Sequence, residues 1–147
     1  MSNQHIGLAL EHHLSFLLYS SSKETIRSFT PLLNQLDLTY TQYLVMLVIW
    51  EHGQLSSKEI GRLLTLDSGT LSPVLRTLEK KALIRRDRDK RDIRNLVVTI
   101  TTEGLALKEQ AKHLPKQLKT NIKLTPEETN TLAELLQKLL DGLKEDL

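Results

Sequence analysis

Between Asp67 and Ala82 the chain sets small hydroxyl residues and long cations opposite an apolar stripe. Leu71, Val74, Leu75 and Leu78 fall at i, i+3, i+4 and i+7, the spacing of one buried helix face. The opposite side then carries Ser68, Gly69, Ser72, Arg76 and Lys80, with Thr70 and Thr77 on its flanks. Hydroxyls near a helix start hydrogen-bond at close range, and a slim helix end fits a DNA major groove about 12 Å wide, where base edges lie open. Arg76 is long enough to reach a guanine or a phosphate. A helix N-terminus also offers free N–H groups to phosphate, although Asp67 blunts its positive end. The chemistry these residues suit is recognition of a polyanion.

Downstream, Arg85, Arg86, Arg88, Lys90, Arg91 and Arg94 stand against Asp87, Asp89 and Asp92, a local surplus of three positive charges. A basic hairpin of this kind can follow a phosphate backbone and place one arginine in the narrow minor groove. Taken alone, such a segment is more often a solvated surface hairpin. Beside a helix with a polar outward face, the nucleic-acid reading prevails. The wider charge distribution agrees with it. From Leu55 to Thr101, eleven basic residues, Lys58 and Arg62 among them, face six acidic ones, whereas the whole chain carries only +2. A basic middle between mildly acidic ends suggests a polyanion-binding module on a scaffold with another task.

Several elements that must position these residues announce themselves by their caps. Thr39-Tyr40-Thr41-Gln42 is a capping box opening a helix that runs to about His52 and stops at Gly53. Ser56-Ser57-Lys58-Glu59 opens a short one, with Ile60, Leu63 and Leu64 inward, and the brief link Thr65-Leu66 leads to the polar-faced segment. Two starts compete there. Asp67 as N-cap leaves Pro73 inside the helix, short of one hydrogen bond, whereas a start at Ser72 puts Pro73 first. Leu83 to Arg88 and Asn95 to Thr101 are β-prone, the second alternating Leu96, Val98 and Ile100 against Val97 and Thr99, with a charged turn between.

The ends are helical. Ile6 to about Phe29 reads as one helix with Leu10, Leu14, Leu17 and Leu18 on a stripe, Pro31 and Asp37 marking its end and the loop. Thr102 to about Lys119 is another, broken or kinked at Pro115. Thr125-Pro126-Glu127-Glu128 opens the last, with proline at the favoured first position. Leu132, Leu135, Leu136, Leu139, Leu140 and Leu143 follow at steps of three and four. Two leucine stripes flanking a basic module fit terminal helices that interlock across a two-fold axis, since dimers of helix-turn-helix units read half-sites about 34 Å apart.

Other classes find little support. No nucleophile elbow, phosphate loop or acid–base pair is present, so no catalytic residue is assigned and an enzyme is not expected. Cysteine is absent, which removes disulfides, thiolate metal sites and thiol nucleophiles. His12 and His13 are adjacent and point to different faces, and His5, His52 and His113 lack partners by spacing, so neither a metal nor a cofactor is expected. The longest apolar run, Tyr43 to Trp50, is too short to cross a bilayer, and no secretory signal opens the chain. A cytoplasmic location fits.

These features resemble the MarR family of bacterial winged-helix repressors, over nearly the whole chain. The most specific stretches are Leu66-Asp67-Ser68-Gly69-Thr70-Leu71-Ser72-Pro73 and Asp92-Ile93-Arg94 leading to Val97-Thr99-Thr101. The resemblance implies a mainly α fold with a small β-wing, a winged helix-turn-helix in an intertwined homodimer. Residues 1–36 and 103–147 would form the helical dimerisation region and 37–102 the DNA-binding region, one interleaved domain. It starts the recognition helix at the aspartate with Pro73 inside, and makes Arg94 the minor-groove arginine, oriented by Asp92. The expected DNA contacts are Lys58, Ser68, Thr70, Ser72, Arg76, Thr77, Arg86, Arg88, Lys90 and Arg94.

Within the family the chain is similar to the organic-hydroperoxide-sensing (OhrR-type) repressors, through Leu14-Ser15-Phe16-Leu17-Leu18-Tyr19-Ser20-Ser21 and Leu38-Thr39-Tyr40-Thr41-Gln42-Tyr43. Those proteins hold a reactive cysteine in the first helix between two tyrosines of the partner subunit. Here Ser15 takes the cysteine position, Tyr40 matches one tyrosine and Phe29 stands at the other. Ser15, Tyr19, Phe29 and Tyr40 are the candidate sensor or ligand pocket. A serine hydroxyl is not ionised at neutral pH and cannot enter the sulfenic-acid ladder. Two origins stay open: a cysteine replaced by design, or a naturally redox-blind regulator, which Phe29 favours. The implied partners are double-stranded DNA, a second copy of the chain and a small apolar or phenolic ligand.

Overall fold

The computed structural model describes residues 10, 13–119 and 122–145. Its elements in chain order are α1 (Leu14–Asn34), α2 (Tyr40–His52), β1 (Gln54–Ser56), α3 (Ser57–Leu64), α4 (Ser68–Lys80), β2 (Ile84–Arg88), β3 (Leu96–Ile100), α5 (Thr102–Ala111), α6 (Leu114–Lys119) and α7 (Pro126–Glu145). The chain divides into two compact units, residues 1–114 and 115–147. No helix among the described residues is long and apolar enough to cross a membrane.

In the first unit, the core gathers side chains from successive elements. Leu33, Met46, Ile49, Ile60, Leu75, Leu78, Ile84 and Val98 are essentially sealed from solvent. The capping box on α2 forms as its sequence predicts: Thr39 Oγ1 accepts from Gln42 N–H at 3.2 Å and Gln42 Oε1 from Thr39 N–H at 3.1 Å. The Ser56 box forms by half. Ser56 Oγ accepts from Glu59 N–H, but the Glu59 carboxylate turns to Arg62 three residues on.

Three sharp corners share one device. Asp37, Thr65 and Ala82 adopt left-handed backbone with φ of 53°, 56° and 61°. In each case the next residue's N–H reaches back to close the helix: Leu38 to Leu33 O, Leu66 to Gly61 O and Leu83 to Leu78 O. This six-to-one bond satisfies a carbonyl that the helix end leaves open. The first helix was expected to end near Phe29, yet it continues to Asn34, because Pro31 forfeits only its own N–H bond while Phe29 and Leu33 bury against the core. Its predicted start, Ile6, lies outside the described residues, but the helix does not reach back to it without interruption: His13 is extended (φ −91°, ψ 115°) as the N-cap, and α1 begins at Leu14. His5 and His12 also lie outside the described residues.

The β-prone segments pair as expected, Ile84–Arg88 against Leu96–Ile100, antiparallel. The sheet has a third strand that the sequence reading lacked. Gln54–Ser56 pairs antiparallel with β3, giving the order β1-β3-β2. The Pro115 break is real: α5 ends at Ala111, and Pro115 sits in the first turn of α6.

In the second unit, Thr125 and Glu128 cap α7 reciprocally, each bond 3.1 Å. Its leucine face, including Leu132, Leu135, Leu136, Leu140 and Leu143, is exposed.

Candidate nucleic-acid interface

Helix α4 starts at the aspartate. Asp67 Oδ1 accepts from Thr70 N–H at 2.7 Å, and that backbone bond holds its carboxyl below the usual aspartate value, so the cap is ionised at neutral pH. Pro73 lies inside the helix, as its sixth residue. Leu71, Leu75 and Leu78 are buried, and the other side stays open to solvent: Ser68, Gly69, Thr70, Ser72, Arg76 and Lys80 are exposed. Thr77 is half-buried, its hydroxyl donating to Pro73 O at 3.0 Å. The α3–α4 turn is tight because Gly61 allows it: a Cβ there would lie 2.8 Å from Leu66 O.

The wing divides its cations into paired and unpaired. Arg85 pairs with Asp87 at 2.7 Å. Arg86 is half-buried and bound to Glu79 of α4 by its backbone N–H, Nε and Nη2. Arg94 lies against Asp92, Nε to Oδ1 at 3.0 Å and Nη2 to Oδ2 at 3.1 Å, with its own N–H also on Oδ1. That fork lowers the Asp92 carboxyl below its ordinary value and raises the guanidinium, so both stay charged. The Arg94 side chain is nevertheless 87% exposed, a preset cation at the wing tip. Lys58, Arg76, Lys80, Arg88, Lys90 and Arg91 are exposed and carry no ion pair among the described residues. Arg85, Arg88, Lys90 and Arg91 line one open depression with Gln54, Asp87, Asp89 and Val97.

Of the predicted contact set, the structure thus places Lys58, Ser68, Thr70, Ser72, Arg76, Arg88, Lys90 and Arg94 in solvent on α3, α4 and the wing. Arg86 is engaged elsewhere, by Glu79. Sequence reasoning passed over Glu79, whose partner lies seven residues on across the turn into β2, where no periodicity signals it.

The sensor candidates separate into two groups. Ser15 and Tyr19 are exposed near the start of α1, beside His13 and Phe16, with Lys23 Nζ 5.3 Å from the Tyr19 ring centre. Phe29 and Tyr40 meet where α1 packs on α2, ring centres 6.0 Å apart. Fourteen helical steps separate Ser15 from Phe29, about 21 Å at 1.5 Å per residue. One chain alone does not bring the four together.

The helix pair, the tight turn and the three-stranded wing constitute a winged helix-turn-helix. Residues 27–111 match the family model of the SarA/Rot transcriptional regulators. Over 143 residues the chain is 41% identical to the organic hydroperoxide resistance transcriptional regulator of Bacillus subtilis, covering 97% of both sequences. It is similar in structure to AbfR of Staphylococcus epidermidis in its reduced form bound to DNA, with 33% identity, a TM-score of 0.77, and 91% of this chain and 93% of that one covered. A MarR variant from E. coli complexed with operator DNA gives 30% identity and a TM-score of 0.75 over 86% and 93% of the two chains. The fold, the exposed basic face and these relatives define a DNA-binding transcriptional regulator of the winged-helix class. The chain belongs to the MarR family of such regulators.

Proposed function

We propose that the chain acts in the cytoplasm as a homodimeric repressor on a pseudo-palindromic operator. The N-terminal half of α4 (Ser68, Thr70, Ser72) enters the major groove, and Arg76 and Thr77 contact bases or nearby phosphates. Arg94 enters the minor groove, and Lys58, Arg88 and Lys90 hold the backbone. Arg86 adds to that contact only through the wing position that Glu79 gives it. The observation that carries this reading is the Asp92–Arg94 fork, which holds a fully charged and 87% exposed guanidinium at the wing tip. Residues 37–102 form the DNA-reading region, and 1–36 with 103–147 the dimerisation region. Exposed Leu14 and Leu17 on α1 and the leucine face of α7 support the latter, since a monomer rarely leaves such faces in water.

The trigger is a small apolar or phenolic molecule, not thiol oxidation. With no cysteine, the chain has no atom that a hydroperoxide can convert to a sulfenic acid. The Phe29–Tyr40 pair supplies an aromatic wall with one phenol, and Ser15 and Tyr19 complete the pocket from the second subunit.

A duplex enriched by the full chain from a random pool tests the DNA assignment by anisotropy titration at fixed salt. Preference for that duplex over random DNA by about a thousandfold or more supports a specific regulator. Equal affinity for both points to an architectural DNA binder, and no salt-dependent affinity to a protein-binding adaptor.

A further inference from the structure

Lys80 and Lys81 follow each other at the end of α4 and behave differently. Lys80 is exposed and carries no ion pair among the described residues. Lys81 is the C-cap, its side chain 27% exposed and turned toward the corner between α1 and α2. Its ammonium donates to the main-chain carbonyl of Asp37 and, at 3.4 Å, to Gln42 Oε1, and it lies 3.5 Å from Asp37 Oδ2. The Gln42 side chain is itself buried, and the same Oε1 accepts the Thr39 N–H that caps α2. One amide oxygen therefore serves the start of α2 and the end of α4. Tyr40 follows Thr39 directly, so this clasp stands between the Phe29–Tyr40 pair and the recognition helix.

We propose that Lys81 is a positioning residue for DNA binding: it fixes α4 against the α1–α2 corner and does not contact phosphate. The inference rests on the DNA-binding reading above. A lysine beside a recognition helix would ordinarily be counted with the phosphate contacts. Here three oxygens on the protein hold its donors, at the end of α4 opposite to the one presented to a groove. Without the ammonium, the α4 terminus loses its tie to a loop 44 residues earlier in the chain, and the helix must be realigned when DNA binds.

Salt dependence separates the two roles. Each phosphate contact adds about 0.9 to the slope of log affinity against log salt. On the duplex enriched by wild-type protein, Lys81→Met is expected to lower affinity about tenfold, as loss of a charge-assisted bond does, with the slope unchanged. Lys81→Arg, which still reaches the Asp37 carbonyl, recovers most of it. Gln42→Glu keeps the α2 cap, since glutamate serves at that position too, and turns the lysine contact into an ion pair. In that background the cost of Lys81→Met grows, a coupling that a phosphate contact would not show. Trp50 fluorescence in urea verifies that each variant is folded at the assay temperature. Should Lys81→Met not fold, Lys81→Gln carries the same comparison. A slope reduced by about one makes Lys81 a phosphate contact and overturns the proposal, as does unchanged affinity. If the wild-type chain enriches no duplex and shows no salt-dependent binding, the DNA reading itself fails.

Discussion

The Glu79 carboxylate takes three hydrogen bonds from Arg86: the backbone N–H at 3.0 Å on Oε2, and Nε and Nη2 at 3.2 and 3.0 Å on Oε1. This pair adds a polar tie between the end of α4 and the first strand of the wing. Helix α4 and strand β2 also meet through the Lys81–Leu83 turn and the core in which Leu78 and Ile84 are buried.

Glu79→Gln should therefore weaken operator binding more than it weakens the fold. With Glu79 side-chain exposure at 38%, solvent screens the pair, and its stability contribution is about 1 kcal/mol. Arg86 bonding lowers the Glu79 carboxyl below its ordinary 4.5. A depressed carboxyl adds stability above the unfolded value and loses it as pH falls through the folded one. Urea midpoints of wild type and Glu79→Gln should thus differ at neutral pH and converge in acid below 4.5. A gap that persists in acid means that the charge is not the cause.

Asp92 and Arg94 should separate affinity from discrimination. Arg94→Ala is expected to cost about ten- to a hundredfold in operator affinity, with a smaller loss on random duplex. Asp92→Asn removes a negative charge from the wing and loosens the arginine. Random-duplex binding should rise and the specific-to-random ratio fall. Anisotropy titrations of both duplexes at one salt concentration measure this, and a ratio unchanged in Asp92→Asn removes the orienting role.

What the sequence disclosed follows from how local each feature is. The Thr39–Gln42 and Thr125–Glu128 boxes close within one turn, and both form. The leucine spacing of α4 needs only its own helix, but its start required the family resemblance, because Pro73 argued locally for another. The Ser56 box is half-formed because Arg62, equally near, takes the Glu59 carboxylate. Strand β1 escaped notice since three residues carry no alternation and its partner Thr99 lies 45 positions from Gln54. The Lys81 clasp and the Glu79–Arg86 pair join side chains across corners, where neither helical nor strand period applies. The exposed half of the candidate interface was thus legible, and the bonds that orient it were not.

Gly104 should tolerate no side chain. A Cβ there would sit 2.3 Å from the backbone oxygen of Leu83, and Trp50 Nε1 donates to the Gly104 carbonyl at 2.8 Å. Thr101 adds to the same junction, its hydroxyl bonded to Ala82 O and to Gly104 N–H. Gly104→Ala must push apart the base of the wing and the start of α5, at a cost on the order of 3 kcal/mol or more. Trp50 is the only tryptophan and reports the junction directly. A Gly104→Ala protein with the wild-type urea midpoint and emission maximum would show that the backbone there yields easily.

Organic hydroperoxide should leave DNA binding by this chain unchanged at doses that oxidise a reactive thiol within minutes. A serine at position 15 offers no sulfur, and the buried Met46 is shielded. Ser15→Cys should install sensitivity, but slowly. The OhrR-type proteins that the chain resembles hold their cysteine between two tyrosines, whereas here Phe29 lacks the second phenol. With one hydrogen-bond donor missing, the thiolate is less stabilised and its attack on peroxide slower. Adding Phe29→Tyr to Ser15→Cys should therefore accelerate release from DNA by about tenfold, the worth of one hydrogen bond to an anion. Band shifts taken over time after cumene hydroperoxide addition compare the three proteins. If both variants respond at the same rate, Phe29 does not face position 15 of the second subunit, and the pocket that joins these residues is not formed.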